Sequence, residues 1–303
     1  MPEVVVIGGA NVDIKGRAGE RHLQGTSNPG KITVSPGGVG RNIAENLARL
    51  GVAAALITAL GEDANGALLR EACASAGVDM SMAVRVDKPT GCYLAVLDDQ
   101  GEMVSAVSDM RAMDRLEPAD LEAAADRLAA AAMLVADCNL STACLDWLCR
   151  FSAARHVRLL IEPVSVVKAA KLLSCTRAQP VFAVTPNAAQ LAALTGQEDE
   201  TGMARLHALG FRNIVMHRGR AGALVSDGAA ILPVPPAPVS GVADVTGAGD
   251  AAVAGLVLGL LEGLPLGEAA WLGQCAAAIK LGSARSVAQE LKRDRLISLA
   301  RMQ

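Results

Sequence analysis

The sequence predicts an α/β fold in which a doubly wound, mostly parallel sheet is flanked by helices and a smaller β layer stands apart from it. Three observations carry this expectation. Short aliphatic runs alternate with helix-period segments along most of the chain, the pattern of a parallel sheet covered on both faces. Two stretches, residues 14–36 and 82–108, interrupt that alternation with turn-rich or strand-like sequence and no helix inside either. Finally, a glycine-rich turn over Asp244–Asp250 introduces a long apolar helix.

Taken in order, Val4–Ile7 is a buried-strand pattern that stops at Gly8 and Gly9. Residues 16–36 are polar and rich in Gly and Ser, with a turn at Ser27, Asn28, Pro29 and Gly30, and read as loops and short strands outside the main core. Gly37 and Gly38 open a helix in which Ile43, Leu47 and Leu50 recur at helical spacing up to Gly51. Ala53–Ala59 reads as the next strand and Leu68–Ala76 as helix. Ala83–Val86, Cys92–Leu97 and Met103–Val107 then follow as strands, with Asp98–Gly101 as a turn, and join residues 16–36 in the small layer. Alternation resumes with strands at Met133–Ala136, Val157–Ile161, Val181–Val184 and Asn213–Met216. Ala223–Val225 and Ala230–Val234 lead to Pro235, Pro236 and Pro238, and beyond Asp250 the chain is largely helical. No internal repeat or linker divides it, so residues 1–303 read as one α/β domain with a discontinuous β part.

Half of the chain is hydrophobic (51%), yet it holds only three Phe, one Tyr and two Trp, so the core must be aliphatic. A net charge of −3 with scattered Lys and Arg argues against a nucleic-acid or anionic-membrane surface, and an anionic substrate must be held locally. The seven cysteines are odd in number and show no C-x-x-C pair, which suggests neither a disulfide framework nor a zinc site. Val4–Ile7 follows no basic segment of a signal peptide, and the run Ala251–Leu261 falls short of the ~20 residues that span a bilayer. The expectation is a cytoplasmic protein.

In the stretch Asp244–Asp250, Gly247, Ala248 and Gly249 leave the backbone bare where a helix begins, so unpaired amides and the positive helix end face outward together. That is a socket for an anion, with a plain helix start as the alternative. Asp250 beside it is electrostatically awkward unless it accepts a proton from an attacking hydroxyl. Gly247, Gly249 and Ala252 also fit G-x-G-x-x-A, but the second strand and distant acid of a dinucleotide site are missing, and no Walker A loop occurs. Asn11 and Asp13 project to one side of an extended backbone and offer a donor and an acceptor to a diol; an Asx turn is the other reading. At Gly37 and Gly38 the backbone can approach a ligand, with Asn42 one turn into the helix, or simply turn.

Together these stretches resemble the ribokinase-like (PfkB) family of sugar and nucleoside kinases over nearly the whole chain. Gly37, Gly38 and Asn42 match its N-terminal signature, and Asp244–Asp250 matches its C-terminal D-x-T-G-A-G-D signature. The resemblance implies a β lid from about 14–36 and 82–108 and the transfer of a phosphoryl group from ATP, with Mg2+, to a sugar hydroxyl. It makes Asp250 the base, the amides of Gly247, Ala248 and Gly249 the anion hole, and Asn11, Asp13, Gly38 and Asn42 the holders of the sugar. Asn187 and Gly219 fall on the nucleotide side, and Asp244 resembles a position that helps bind a monovalent cation, K+ in relatives. Gln190 departs from the family's N-x-x-E motif, whose Glu helps organise magnesium. Ser27–Ile32, Gly37–Asn46 and Glu162–Ser165 resemble the branch that phosphorylates pseudouridine on its 5′-hydroxyl, with Ser27 and Asn28 as lid candidates for base recognition. Ribokinase-like or fructokinase-like sugar kinases, other nucleoside kinases and a non-catalytic sugar or nucleoside binder are the alternatives. No nucleic-acid polymer or membrane is expected as a partner, and the lid is a candidate surface for a homodimer.

Overall fold

The computed structural model describes residues 3–175 and 181–302; Met1 and Pro2, at the head of the first apolar run, lie outside them. The chain runs β1 (Val4–Ile7), β2 (Asn11–Ala18), β3 (Gly30–Gly37), α1 (Val39–Arg49), β4 (Ala54–Ile57), β5 (Ala59–Gly61), α2 (Ala64–Ala76), β6 (Val84–Val86), β7 (Cys92–Leu97) and β8 (Met103–Asp109). It continues through α3 (Pro118–Ala123), α4 (Ala125–Ala130), β9 (Met133–Asp137), α5 (Thr142–Arg155), β10 (Leu159–Glu162), α6 (Val166–Ala169), α7 (Leu172–Cys175), β11 (Val181–Val184), α8 (Ala188–Thr195) and α9 (Glu200–Ala208). Last come β12 (Phe211–His217), β13 (Ala223–Ser226), β14 (Ile231–Val234), α10 (Ala248–Leu261), α11 (Leu266–Leu281) and α12 (Arg293–Ala300).

Among the described residues an eight-stranded sheet has the order β14-β13-β12-β11-β10-β9-β1-β4, parallel from β12 to β4 and antiparallel at β13 and β14. Side-chain alternation decides which layer each residue joins. Val4, Val6, Leu56, Val135 and Leu160 pack with α1, α10 and α11, whereas Val5, Ile7, Ile57, Leu134 and Ile161 pack on the other face with α5, α8 and α9. Both faces are thus buried, which is why these strands read as continuous apolar runs. Among the described residues no helix is long and apolar enough to cross a membrane.

The second sheet, β3-β2-β7-β8, departs from expectation in its make-up. Residues 16–36, read as loops and short strands, contribute most of two long antiparallel strands paired from Asn11–Gly37 to Ala18–Gly30. Their polar composition misleads because one face of this sheet is not covered by the core. The strand read at Ala83–Val86 does not join it. Instead Val84–Val86 pairs in parallel with β5. Ala53–Ala59 also splits, because Thr58 leaves the ladder and its carbonyl accepts from the Val84 amide at 2.8 Å.

Candidate active site

The carboxyl ends of the parallel strands are where an open α/β sheet presents its loops to a ligand. At the end of β9 the carboxylate of Asp137, with no exposed surface, accepts from the amides of Gly9 and Gly40 at 2.8 Å each and of Asn139 at 2.8 Å. One carboxylate therefore fastens the turn after β1 to the first turn of α1. Gly38 makes that junction passable. Its φ is +96°, and a Cβ there would fall 2.5 Å from the Gly9 carbonyl oxygen.

The same helix delivers Asn42, whose side-chain amide donates to Asp250 Oδ2 at 2.6 Å across 208 residues of sequence. Arg41, buried, donates to the Asn42 side-chain oxygen, to Glu45 and to the carbonyls of Pro36 and Gly37. Its grip fixes which end of the Asn42 amide faces Asp250. Burial pushes the Asp250 carboxyl up to about 7; Asn42 and Arg41 pull against this, while the acids Asp137 and Asp13 add to it. A carboxylate that ionises near neutrality is suited to accept a proton.

Asn11 and Asp13 sit on β2, both buried, and the Asn11 amide donates to Asp13 Oδ1 at 2.7 Å. Burial raises the Asp13 carboxyl, with Asn11, Lys15 and Arg41 working in the opposite direction. Two positions further along β2, Lys15 pairs with Asp244 Oδ2 at 3.1 Å, so the small sheet is tied directly to the loop before α10. The other carboxylate oxygen of Asp244 accepts from the Thr246 amide at 2.8 Å.

Gly247 caps α10 with φ +85°, and a Cβ there would lie 2.1 Å from the Ser286 carbonyl oxygen, so a side chain cannot be accommodated. The Ala248 amide turns back onto the Val245 carbonyl at 3.2 Å. The Gly249 and Asp250 amides have no backbone partner among the described residues, and nothing lies within 4 Å of where a Gly249 side chain would start. This end of the helix is a bare patch of N–H groups beside the Asp250 carboxyl. It opens on a cavity of about 520 Å³, walled mainly by apolar groups including Pro236, Val242, Val245 and Ala252, with Gly219 and His217 at its edge. His217 Nε2 is buried without a partner among the described residues, and burial holds the ring down to about 4, hence neutral at ordinary pH.

Asn187 lines a neighbouring cavity of about 880 Å³ that shares Gly219. Its side chain, however, is engaged locally: it accepts from the Gln190 amide at 2.9 Å, while the Gln190 side chain accepts from the Asn187 amide at 2.8 Å, the reciprocal cap of α8. Ser27 is exposed, and Asn28 closes its own turn, accepting from the Leu23 amide at 2.7 Å and donating to the Leu23 and Thr26 carbonyls. The hydrogen bonds thus bring Asn42 to Asp250 and Asn11 to Asp13. They do not draw in Ser27, Asn28 or Gln190.

Asp137, Arg41, Lys15 and Glu162 were not among the sequence-derived site residues. Glu162 ends β10, takes a hydrogen bond from the Thr185 hydroxyl, and packing around its carboxyl pushes it up to about 8, with Asp250 and Asp137 contributing. For Asp137 and Glu162 the usable signal was an acid immediately after a buried aliphatic run. That places a charge at the carboxyl end of a parallel strand.

Comparison with known proteins follows the same lines. The model of the pfkB family carbohydrate kinases matches residues 1–291. Pseudouridine kinase of Escherichia coli (strain K12) is 34% identical over 98% of this chain and 96% of that protein. A solved carbohydrate kinase from Agrobacterium tumefaciens superposes with a TM-score of 0.87 at 30% identity, covering 99% of this chain and 97% of the other. The Arabidopsis thaliana ribokinase complexed with ribose and ATP superposes with a TM-score of 0.85 at 23% identity, covering 100% and 99%, and shares the fold.

Proposed function

The chain belongs to the pfkB family of carbohydrate kinases, enzymes that move a phosphoryl group onto a hydroxyl, and on that premise we propose that it phosphorylates the ribose 5′-hydroxyl of a nucleoside, pseudouridine foremost. The observation that carries the reading is the Asn42–Asp250 contact beside the bare amides of α10: a base and an anion socket within one turn of helix. The acceptor oxygen bonds to the terminal phosphorus of ATP, the bond from that phosphorus to ADP breaks, and the hydroxyl proton passes to an Asp250 oxygen. Alignment and charge stabilisation are the main requirements of such a transfer. Of the expected anion-hole amides at Gly247, Ala248 and Gly249, that of Ala248 is turned onto the Val245 carbonyl, and Gly249 is the least encumbered to meet the migrating group. Asn11, Asp13 and the backbone at Gly38 hold the sugar hydroxyls, and Asn42 orients both sugar and base. The apolar cavity beside Gly219 suits the flat base of the nucleotide, with Asn187 at its outer side.

Pseudouridine is favoured by the 34% identity to the Escherichia coli enzyme over almost the full length of both chains. The 30% identity to a carbohydrate kinase keeps a free sugar as the second reading. A binder without catalysis is disfavoured, since a pure binder has no need for a carboxylate beside the bare amides of α10. Ribokinase-like kinases use ATP and generally need Mg2+. Magnesium of that kind is held by one or two carboxylates together with the nucleotide phosphates and water, not by a dedicated all-protein cage. All seven cysteines are free, in keeping with a cytoplasmic setting, and the small sheet would close over the nucleoside as a lid. We also take a second copy of the chain to cover the outer face of that sheet.

The test is ADP release with pseudouridine, uridine, adenosine, ribose and fructose, where pseudouridine should give the highest kcat/KM. Turnover confined to free sugars would replace the nucleoside reading. Asp250→Asn should retain nucleoside binding while kcat falls by roughly two to four orders of magnitude, the usual worth of a general base. Near-normal turnover would remove Asp250 from that role.

A further inference from the structure

Lys280 lies in the last turn of α11 with no exposed surface. Its ammonium donates to the backbone carbonyls of Asp244 at 2.6 Å and Ser283 at 3.2 Å. Carbonyl oxygens converging on one buried positive charge are the donor set that replaces the hydration shell of a desolvated monovalent cation. Two ammonium groups, those of Lys15 and Lys280, already sit on Asp244 and would repel a free cation there. The two carboxylate oxygens of Asp244 are engaged by Lys15 and the Thr246 amide, and its carbonyl by Lys280. The residues present therefore do not fit the cation that the position of Asp244 implies.

We propose that the Lys280 ammonium is a built-in cation that takes the place of a free one, so that phosphoryl transfer by this chain is independent of K+. Geometry gives the charge its purpose. The Ala243 amide donates to the Leu281 carbonyl at 2.8 Å, and the backbone of Gly247 rests against that of Ser286 so tightly that no Cβ fits. Lys280 is the side-chain clamp between those two segments, the first of which leads into the amides at the start of α10. It touches neither reactant, and acts as a positioning residue that holds the anion socket in shape. Burial lowers the Lys280 ammonium below its ordinary range, and Lys15 adds to this, while the charges of Asp244 and Asp250 pull the other way. A tethered ammonium is present at fixed occupancy whatever the ionic composition, whereas a free ion binds by mass action.

This inference rests on the kinase reading for its rate measurement but not for its thermal one. Turnover and thermal melting are recorded at constant ionic strength in KCl, NaCl and tetramethylammonium chloride, for the wild type and for Lys280→Met. Wild-type rate and melting temperature should be the same in all three salts. Lys280→Met should lose turnover on the order of a hundredfold in tetramethylammonium, as expected when catalytic groups are misplaced by about 1 Å. KCl should restore much of that loss and raise the variant's melting temperature above its value in tetramethylammonium. A wild-type rate that rises tenfold or so with K+ would overturn the proposal, as would a variant indifferent to K+ in both rate and melting. If Lys280→Met does not fold, the wild-type salt series decides alone. Should no acceptor turn over at all, the kinase reading fails, while the melting comparison still judges Lys280.

Discussion

At the level of single residues, the chemistry turns on a carboxylate placed where ionisation is difficult. Asp250 is pushed up to about 7 chiefly by burial, so the base we propose, which must be ionised to accept a proton, would be half-titrated near neutrality. We expect kcat/KM to climb about tenfold per pH unit below 7 and to level above it; a flat profile between about pH 5.5 and 8 would argue that another group takes the proton. Stability should run the other way. For Asp250 and Glu162 the folded pKa, about 7 and about 8, exceeds the ordinary values of 3.8 and 4.5. The folded state therefore holds protons that the unfolded chain has released. The stability these two groups contribute is complete below about pH 4 and is lost as pH rises through 7 to 8. Urea unfolding at pH 6 and pH 8.5 should show the decline, and Glu162→Gln should reduce it. Asp250 was legible in sequence because it directly follows Gly247, Ala248 and Gly249. For Asp137 only the place, an acid after an aliphatic run, was legible, since its role depends on amides from Gly9 and Gly40 that only the fold brings to it.

Whole elements repeat this division between local and tertiary information. The strands β1, β9, β10 and β11 could be read from unbroken apolar runs, because both their faces are buried, and the helix α1 from its apolar period, because one face is. β2 could not. Lys15, Gly16 and Arg17 carry no local strand signal, and they are strand only because β3 and β7 pair on either side. β6 was legible as a strand but not in its partner, since pairing with β5 is a tertiary choice. The start of α8 shows how an element can absorb a residue expected at the site. Gln190 differs from the expected glutamate, yet it forms the reciprocal cap with Asn187 that a glutamate would also form. Gln190→Ala should cost about 1 kcal/mol in urea unfolding by losing the bond to the Asn187 amide. Gln190→Glu should preserve stability to within about 0.5 kcal/mol and leave the magnesium concentration for half-maximal rate unchanged. A marked drop in that concentration would instead place position 190 beside the metal.

For the whole molecule, the decisive asymmetry is between the two faces of the small sheet. Asp13 and Lys15 point from β2 toward the site, where Lys15 reaches Asp244. Alternation sends Ile14 the other way, into a cross-strand row with Val34, Leu94 and Val107. Val34 is 54% exposed, Val107 63%, and Ile32 in the next row 71%. Contiguous apolar surface of this kind marks an interaction site more often than a solvated face. The row carries no charge that would ask for a complementary partner, and a two-fold axis through it would set each stripe against its own copy. We therefore expect a homodimer by sedimentation at micromolar concentration. Val34→Asp with Val107→Asp should convert it to a folded monomer. Because both substitutions lie on the face away from Asp13, a loss of nucleoside affinity in that monomer would mean that the dimer stiffens the sheet which covers the substrate. An unchanged affinity would confine the interface to assembly, and a wild-type monomer would leave the apolar face to a different partner.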